Sequence, residues 1–357
     1  MSQSESSQPG APRQVGRYEL TERHLPGAGA ERWRGRVATG AELGRRISLR
    51  SIPRSAELTA QAVERLSNAG FAAMELRHPK IAAVLDVVVA DAEVAIVSED
   101  LAGMSLQELL RPADGQPRTQ TPPDVAARMV LDLLDALSAV AEPWAEVVPP
   151  PETDEERILL GALHGGVTPD TLLVATFGET LLLEPGISGA ALTLPAIGDH
   201  PEIIAFRAPE QLEPGRAVDE RADLFTAGVV AWELVAGRSL FAAASLPRPP
   251  GSPTPPRASG QSQVAGAKRR VLTAPILRLD GLPGMKGKVG KPFADWVARC
   301  LERDPAKRFP TIVGAVDALR ALGASAIATH DAVAAFVAAR SGAVAADDAA
   351  PVSSGAL

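Results

Sequence analysis

Between Asp223 and Val235 the apolar residues Leu224, Phe225, Val229, Val230, Trp232, Leu234 and Val235 point in every helical direction. A helix with no polar face has nowhere to meet water, so it must run through the middle of a large domain. Gly237 stands where a left-handed residue ends such a helix, and Asp219 and Asp223 stand where its first amide groups want an acceptor. The rest of the chain has to be arranged around this rod. With 357 residues there is enough chain to wrap it and to form a second lobe. Apolar residues make up 46% of the chain but aromatic residues only 4%, so the core is built largely from Ala, Leu and Val.

A net charge of -7 gives no general attraction to nucleic acid or to anionic membranes. The single cysteine, Cys300, has no partner for an internal disulfide and lies on an apolar stripe with Phe293, Trp296, Val297 and Leu301. A buried core thiol in a reducing cytoplasm is the expectation. The first residues, MSQSESSQPGAPRQ, carry no basic-then-apolar signal pattern, and no run of about 18 uncharged apolar residues occurs. A soluble, cytoplasmic protein is expected, with protein partners and with neither nucleic acid nor membrane.

Immediately before the central helix, Ala208 to Gln211 reads APEQ, and downstream Ala298 to Phe309 reads ARCLERDPAKRF. In this order and at this separation the segments resemble the Ala-Pro-Glu segment, the central helix and the arginine motif of bacterial serine/threonine protein kinases, over about Tyr18 to Leu322. The resemblance implies an α+β, bilobal protein-kinase-like fold, with a small β-rich N-lobe carrying one main helix and a larger helical C-lobe. It further implies that Glu210 and Arg308 form a buried pair and that Asp223 is structural.

The expected organisation starts with a disordered tail over 1–16, composed of Ser, Gln, Gly and Pro. The kinase-like domain follows over 17–322, with N-lobe 17–98, hinge 99–103 and C-lobe 104–322. Helical spacing marks Gln61 to Leu76, and Val125, Met129, Leu133, Leu137 and Val140 form one stripe of a long helix. Two loop insertions are expected, about 142–157 and 242–291. The second carries PRPPGSPTPPRASG and a basic patch of Lys268, Arg269, Arg270, Lys286, Lys288 and Lys291; it reads as a mobile excursion or as a docking site for a partner. Residues 323–357 read as an Ala-rich helix, centred on Asp331 to Arg340, and a disordered tail.

The resemblance also sets out which residues phosphoryl transfer would need, since that reaction is positioning plus charge neutralisation. In LPGAGAERWRG the glycine-rich turn keeps Gly27 and Gly29, while Glu31 or Arg32, depending on register, takes the third glycine position. Arg50 stands where the family has its phosphate-gripping lysine, and no acid falls near Asn68 or Ala69 to pair with it. In LHGGVTPDTLLV, His164 is kept, but Gly165, Gly166, Thr168 and Thr171 replace the arginine, the catalytic aspartate, the lysine and the metal-binding asparagine. Without a carboxylate at 166, nothing there accepts the proton of a substrate hydroxyl. Asp170 falls at a variable position and is expected to point elsewhere. Glu184-Pro185-Gly186 replaces Asp-Phe-Gly; Glu184 is the only metal candidate, or else an acid at the surface or pocket edge. Ile203 replaces the hydroxyl before Ala-Pro-Glu, and Ser188 and Thr193 are the activation segment's hydroxyls.

These losses are those of a degenerate member, a pseudokinase. The expectation is a catalytically inactive domain, not an enzyme, acting as a regulatory or scaffolding protein in bacterial signalling. Catalytic residues and cofactors are expected to be absent, with ATP and magnesium binding weak or lacking in a vestigial pocket of Gly27, Gly29, Arg50, Glu99, Leu101 and Glu184. The alternative is an atypical ATP-binding kinase or nucleotide-dependent transferase using Glu184 and Arg50.

Overall fold

Alternation along the first strands builds the small lobe. The computed structural model describes residues 13–23, 30–54, 58–110, 120–145, 164–241 and 260–348. Strands β1 (Arg13–Val15), β2 (Tyr18–Arg23), β3 (Glu31–Val37), β4 (Arg46–Pro53), β5 (Val84–Val89) and β6 (Glu93–Glu99) form one antiparallel sheet in the order β1-β2-β3-β4-β6-β5. On one face Tyr18, Leu20, Val37, Ile47, Leu49, Ala95 and Val97 bury one another. Side chains alternate along a strand, so the other face receives Arg32 opposite Arg50 and Arg34 opposite Ser48. Helix α1 (Ala60–Glu75) is capped by Thr59, whose side chain accepts from the Ala62 amide, and it buries Leu66, Ala69, Gly70 and Ala73. At Gly70 a Cβ would lie 2.3 Å from Val87, so only glycine lets this helix lie so close to the sheet.

Past the hinge, β7 (Gly103–Ser105), β8 (Leu172–Ala175) and β9 (Thr180–Leu182) form a second sheet. The helices of the large lobe are α2 (Leu106–Leu110), α3 (Pro123–Ala145), α4 (Ile187–Ala191), α5 (Pro195–Gly198), α6 (Pro201–Ile204) and α7 (Arg221–Ala236). They are followed by α8 (Gly260–Thr273), α9 (Lys291–Cys300), α10 (Ile312–Arg320) and α11 (His330–Asp348). The central rod is α7, buried from Ala222 to Ala236 and ended by Gly237 at φ 62°. The predicted stripe of α3 is buried throughout. Cys300 is fully buried, and burial pushes its thiol pKa up.

Several boundaries differ from expectation. Arg13–Val15 pairs with Tyr18–Leu20, so the 1–16 tail gives way to a strand; residues 1–12 lie outside the described residues. The 242–291 stretch is no featureless loop, because α8 seats Ala267 and Val271 in the core. Its basic patch is partly engaged: Lys268 pairs with Asp199, Lys291 with Asp295, and Arg270 donates to the Phe241 carbonyl. Helix α3 runs on to Ala145, and 146–157 of the first insertion lies outside the described residues. Asp219 caps α7 by accepting from the Arg221 amide, but Asp223 turns away from its own helix.

Candidate functional site

Asp223 turns toward the loop that carries His164. Its two carboxylate oxygens accept from the His164 and Gly165 amides, each at 3.0 Å. Burial raises the Asp223 pKa to about 7, against the lowering effect of those two bonds. His164 is buried, its Nε2 lies 3.2 Å from the Leu183 carbonyl, and burial lowers its pKa to about 4, so it is a neutral frame residue at pH 7. Thr171 is engaged inside the same loop: its hydroxyl accepts from the Thr168 amide and donates to the Thr168 carbonyl, both at 2.9 Å. Glu210 and Arg308 form the expected buried pair, bidentate at 2.5 and 2.8 Å.

Gly166 is closed in. A Cβ there would sit 2.7 Å from the Ser188 carbonyl carbon and 2.9 Å from the Gly189 amide nitrogen. The backbone of α4 occupies the space that a side chain at 166 would need. Helix α4 is held there from the other side, because Ile187, Ala190, Ala191, Leu194 and Ile197 join the core formed by Leu66, Ala69 and Ala73 of α1. Ser188 is 3% exposed, out of reach of any modifying enzyme in this arrangement.

The centre of the cleft is a cluster of charges. Strand register settles which residue takes the third glycine position. Arg32 lies opposite Arg50 on the cleft face, while Glu31 turns to Arg13, Arg23 and the Trp33 indole. Arg32 reaches one oxygen of Glu184 at 2.8 Å, and Arg50 Nη1 reaches the other at 2.5 Å. Ser188 Oγ sits 3.3 Å from Arg50 Nη1, and Arg32 also donates to the Asp170 carbonyl at 3.3 Å. Glu184 is therefore no surface or pocket-edge acid: it is 1% exposed and placed between two guanidinium groups. Burial alone would raise its pKa, but Arg32 and Arg50 outweigh burial and hold it at about 2. Its φ of 55° makes it the one non-glycine residue with positive φ among those described, a conformation kept where the surroundings impose it.

The Asp170 carboxylate accepts from the Thr168 hydroxyl, and its charge acts on Arg50. At the hinge Glu99 accepts from the Ala83 amide at 2.8 Å, and the neighbouring Asp100 pairs with Arg34 and Arg46 at 3.3 and 2.6 Å. Leu101 is half-buried beside them. Gly27 and Gly29 lie outside the described residues. These hinge arginines are residues that motif reading passed over; Arg34 shares the alternation of Arg32, which is the signal that marks it.

The donor set does not fit magnesium in this arrangement. Both Glu184 oxygens are bound to guanidinium groups, the Thr171 hydroxyl is engaged in its own loop, and residue 166 has no side chain. Hard cations need several free oxygen ligands. No group of three or more potential metal-ligating His, Cys, Asp or Glu side chains occurs among the described residues.

Comparison with known proteins places this geometry. The chain is 24% identical over 305 residues to the serine/threonine-protein kinase pkn2 of Myxococcus xanthus, covering 82% of the chain and 30% of that protein. It is 26% identical over 263 residues to the serine/threonine-protein kinase PknL of Mycobacterium tuberculosis, covering 71% of the chain and 50% of that protein. The chain thus spans half or less of the length of these relatives. The kinase domain of Mycobacterium tuberculosis PknI superposes with a TM-score of 0.58 at 17% identity, over 89% of this chain and 100% of that domain. No protein-family model matches. The fold is that of a protein kinase, and the relatives in sequence are bacterial serine/threonine protein kinases. The expectation that the chain is not an enzyme is corrected by these relatives: they are named as kinases, which points to an enzyme. That expectation rested on the joint departures at Arg50, Gly166, Thr171 and Glu184. No helix among the described residues is long and apolar enough to cross a membrane.

Proposed function

We propose that this chain, with its protein-kinase fold and bacterial serine/threonine kinase relatives, is a cytoplasmic regulatory protein of bacterial signalling that presents one defined shape to a protein partner. The observation that carries the reading is the engagement of both Glu184 oxygens by Arg32 and Arg50, from strands of the small lobe, while Glu184 itself belongs to the large lobe. A buried, hydrogen-bonded charge cluster is weak as a source of stability but fixes the relative placement of the parts it joins. Here the parts are the two lobes.

A second reading, favoured by the names of the relatives, is phosphoryl transfer by an atypical route. It uses Arg50 on the phosphates and, as the carboxylate of the loop, Asp170, whose charge acts on Arg50. The transfer reading is tested with labelled phosphate passed from ATP to the chain itself or to a generic protein substrate: incorporation by the wild-type chain is expected to be lost in D170N and in the charge-neutral pair R50Q/E184Q, and incorporation unchanged in both overturns it. The regulatory reading expects R50Q/E184Q, which unties the lobes, to broaden the small-angle scattering profile of the chain, and an unchanged profile overturns it.

A further inference from the structure

A cavity of about 400 Å³ opens in the large lobe between α7, α9 and residues 276–279, and no residue of the cleft between the lobes lines it. That volume falls within the range of small-molecule sites, about 300 to 1,000 Å³. Trp232 of α7, Val297 of α9, Leu301 just past it and Leu279 form an apolar wall, each 3% exposed or less, so the site is built before anything enters it. Leu277 and Arg278, both exposed, bring the cavity to the surface. The Trp232 indole N–H donates to the Leu277 carbonyl at 2.8 Å, which leaves its ring as an apolar surface.

Three lining residues carry charge: Arg278, Glu302 and Arg303. Arg278 is matched, by Asp280 at 3.0 Å and Asp295 at 2.7 Å. Arg303 is not. It is half-buried and makes no ion pair with any of the described residues; its Nε donates to the Val271 carbonyl at 2.8 Å and its Nη2 to the Ala274 carbonyl. A guanidinium has five N–H donors, so the two carbonyls leave the fork with capacity for an acceptor. Burial lowers the Arg303 pKa, as befits a cation short of compensation. Arg238 lies over the Trp232 ring at 5.4 Å and also makes no ion pair among the described residues. Around the cavity two unmatched cations thus stand against one exposed anion, Glu302.

We infer that this cavity binds a small apolar carboxylic acid, its hydrocarbon body against Trp232, Val297 and Leu301 and its carboxylate on Arg303. The body takes the place of water against the apolar wall, and the carboxylate provides the counter-charge that Arg303 lacks. A neutral analogue leaves Arg303 unmatched, and an amine meets it as a like charge. Neither reading of the cleft uses this face of the large lobe, so failure here leaves both of them as they stand.

The test follows the melting temperature of the full chain against rising concentrations of 4-phenylbutyrate and of octanoate, because a ligand of the native state must raise it. The neutral 4-phenylbutanol and the cationic 4-phenylbutylamine serve as matched probes. At least one acid is expected to raise the transition, with the alcohol about tenfold weaker and the amine without effect. A298F places a ring in the cavity and is expected to abolish the response. R303Q is expected to remove the preference for acid over alcohol, and R303K to keep it. The ligand-free transition of each variant reports that it is folded. Should R303Q not fold, E302Q changes an exposed side chain and is expected to strengthen the acid about threefold while leaving the alcohol as it was. No rise with either acid in the wild-type chain, equal rises with phenylbutyrate and phenylbutanol, or a rise unchanged in A298F overturns the inference. So does a preference for the acid that survives in folded R303Q, or an acid response that E302Q leaves unmoved.

Discussion

Burying Glu184 without partners would cost several kcal/mol, so Arg32 and Arg50 belong to the folding of the cleft as much as to its chemistry. The pKa of Glu184 falls from 4.5 to about 2 on folding. A carboxylate lowered in this way contributes stability that is fully present above pH 4.5 and is lost as the pH falls toward 2. Two and a half pH units correspond to about 3 kcal/mol. Urea unfolding should therefore find the wild-type chain more stable than E184Q by about that amount at pH 7. The gap is expected to close as pH falls from about 4.5 to about 2. Asp223 titrates in both proteins and cancels in the difference, whereas His164, on which the Glu184 charge acts, adds a smaller contribution of its own near pH 4. A gap that stays constant with pH would mean that Glu184 is not held as an anion.

Among the elements, α4 decides the state of the cleft. It fills the space beside Gly166, and together with the α5 segment that follows it completes the core under α1 through Ile187, Leu194 and Ile197. Truncating Leu194 to Ala removes a buried anchor of this segment. Hydrogen exchange is expected to quicken across residues 187–204 while the β3–β4–β6 ladder keeps its protection. Equal loss in both regions would show that the segment is no separate unit. The central helix α7 was readable because its apolar residues cover every direction, and Gly237 marked its end. Helix α4 was not readable, because Ile-Ser-Gly-Ala-Ala carries almost no periodic signal and gains its place from contacts with α1. Helix α8 hid in the same way: only Ala267 and Val271 of its residues are buried, too few to stand out beside a proline-rich stretch. Within the site, the loss of side chains at Gly166 and Thr171 was legible position by position. The choice between Glu31 and Arg32 was not, since it depends on strand register and on Arg50, further along the chain.

At the scale of the molecule, the lobes are joined at several places besides the hinge. The Ala82 amide donates to the Leu182 carbonyl and the Leu182 amide to the Lys80 carbonyl, which ties the turn after α1 to β9. Arg32 bridges to Asp170 and Glu184, Arg50 to Glu184, and the core under α1 is shared between both lobes. A kinase fold that opens and closes around a metal-bound nucleotide needs its cleft carboxylate free, whereas here that carboxylate closes the cleft. The measurement that bears most directly on this point is electron paramagnetic resonance of Mn2+ titrated into the chain with ATP. The arrangement of Arg32, Glu184 and Arg50 predicts that the wild-type chain and E184Q retain the same small amount of Mn2+ beyond what ATP alone holds. One Mn2+ retained per wild-type chain and released by E184Q would contradict it.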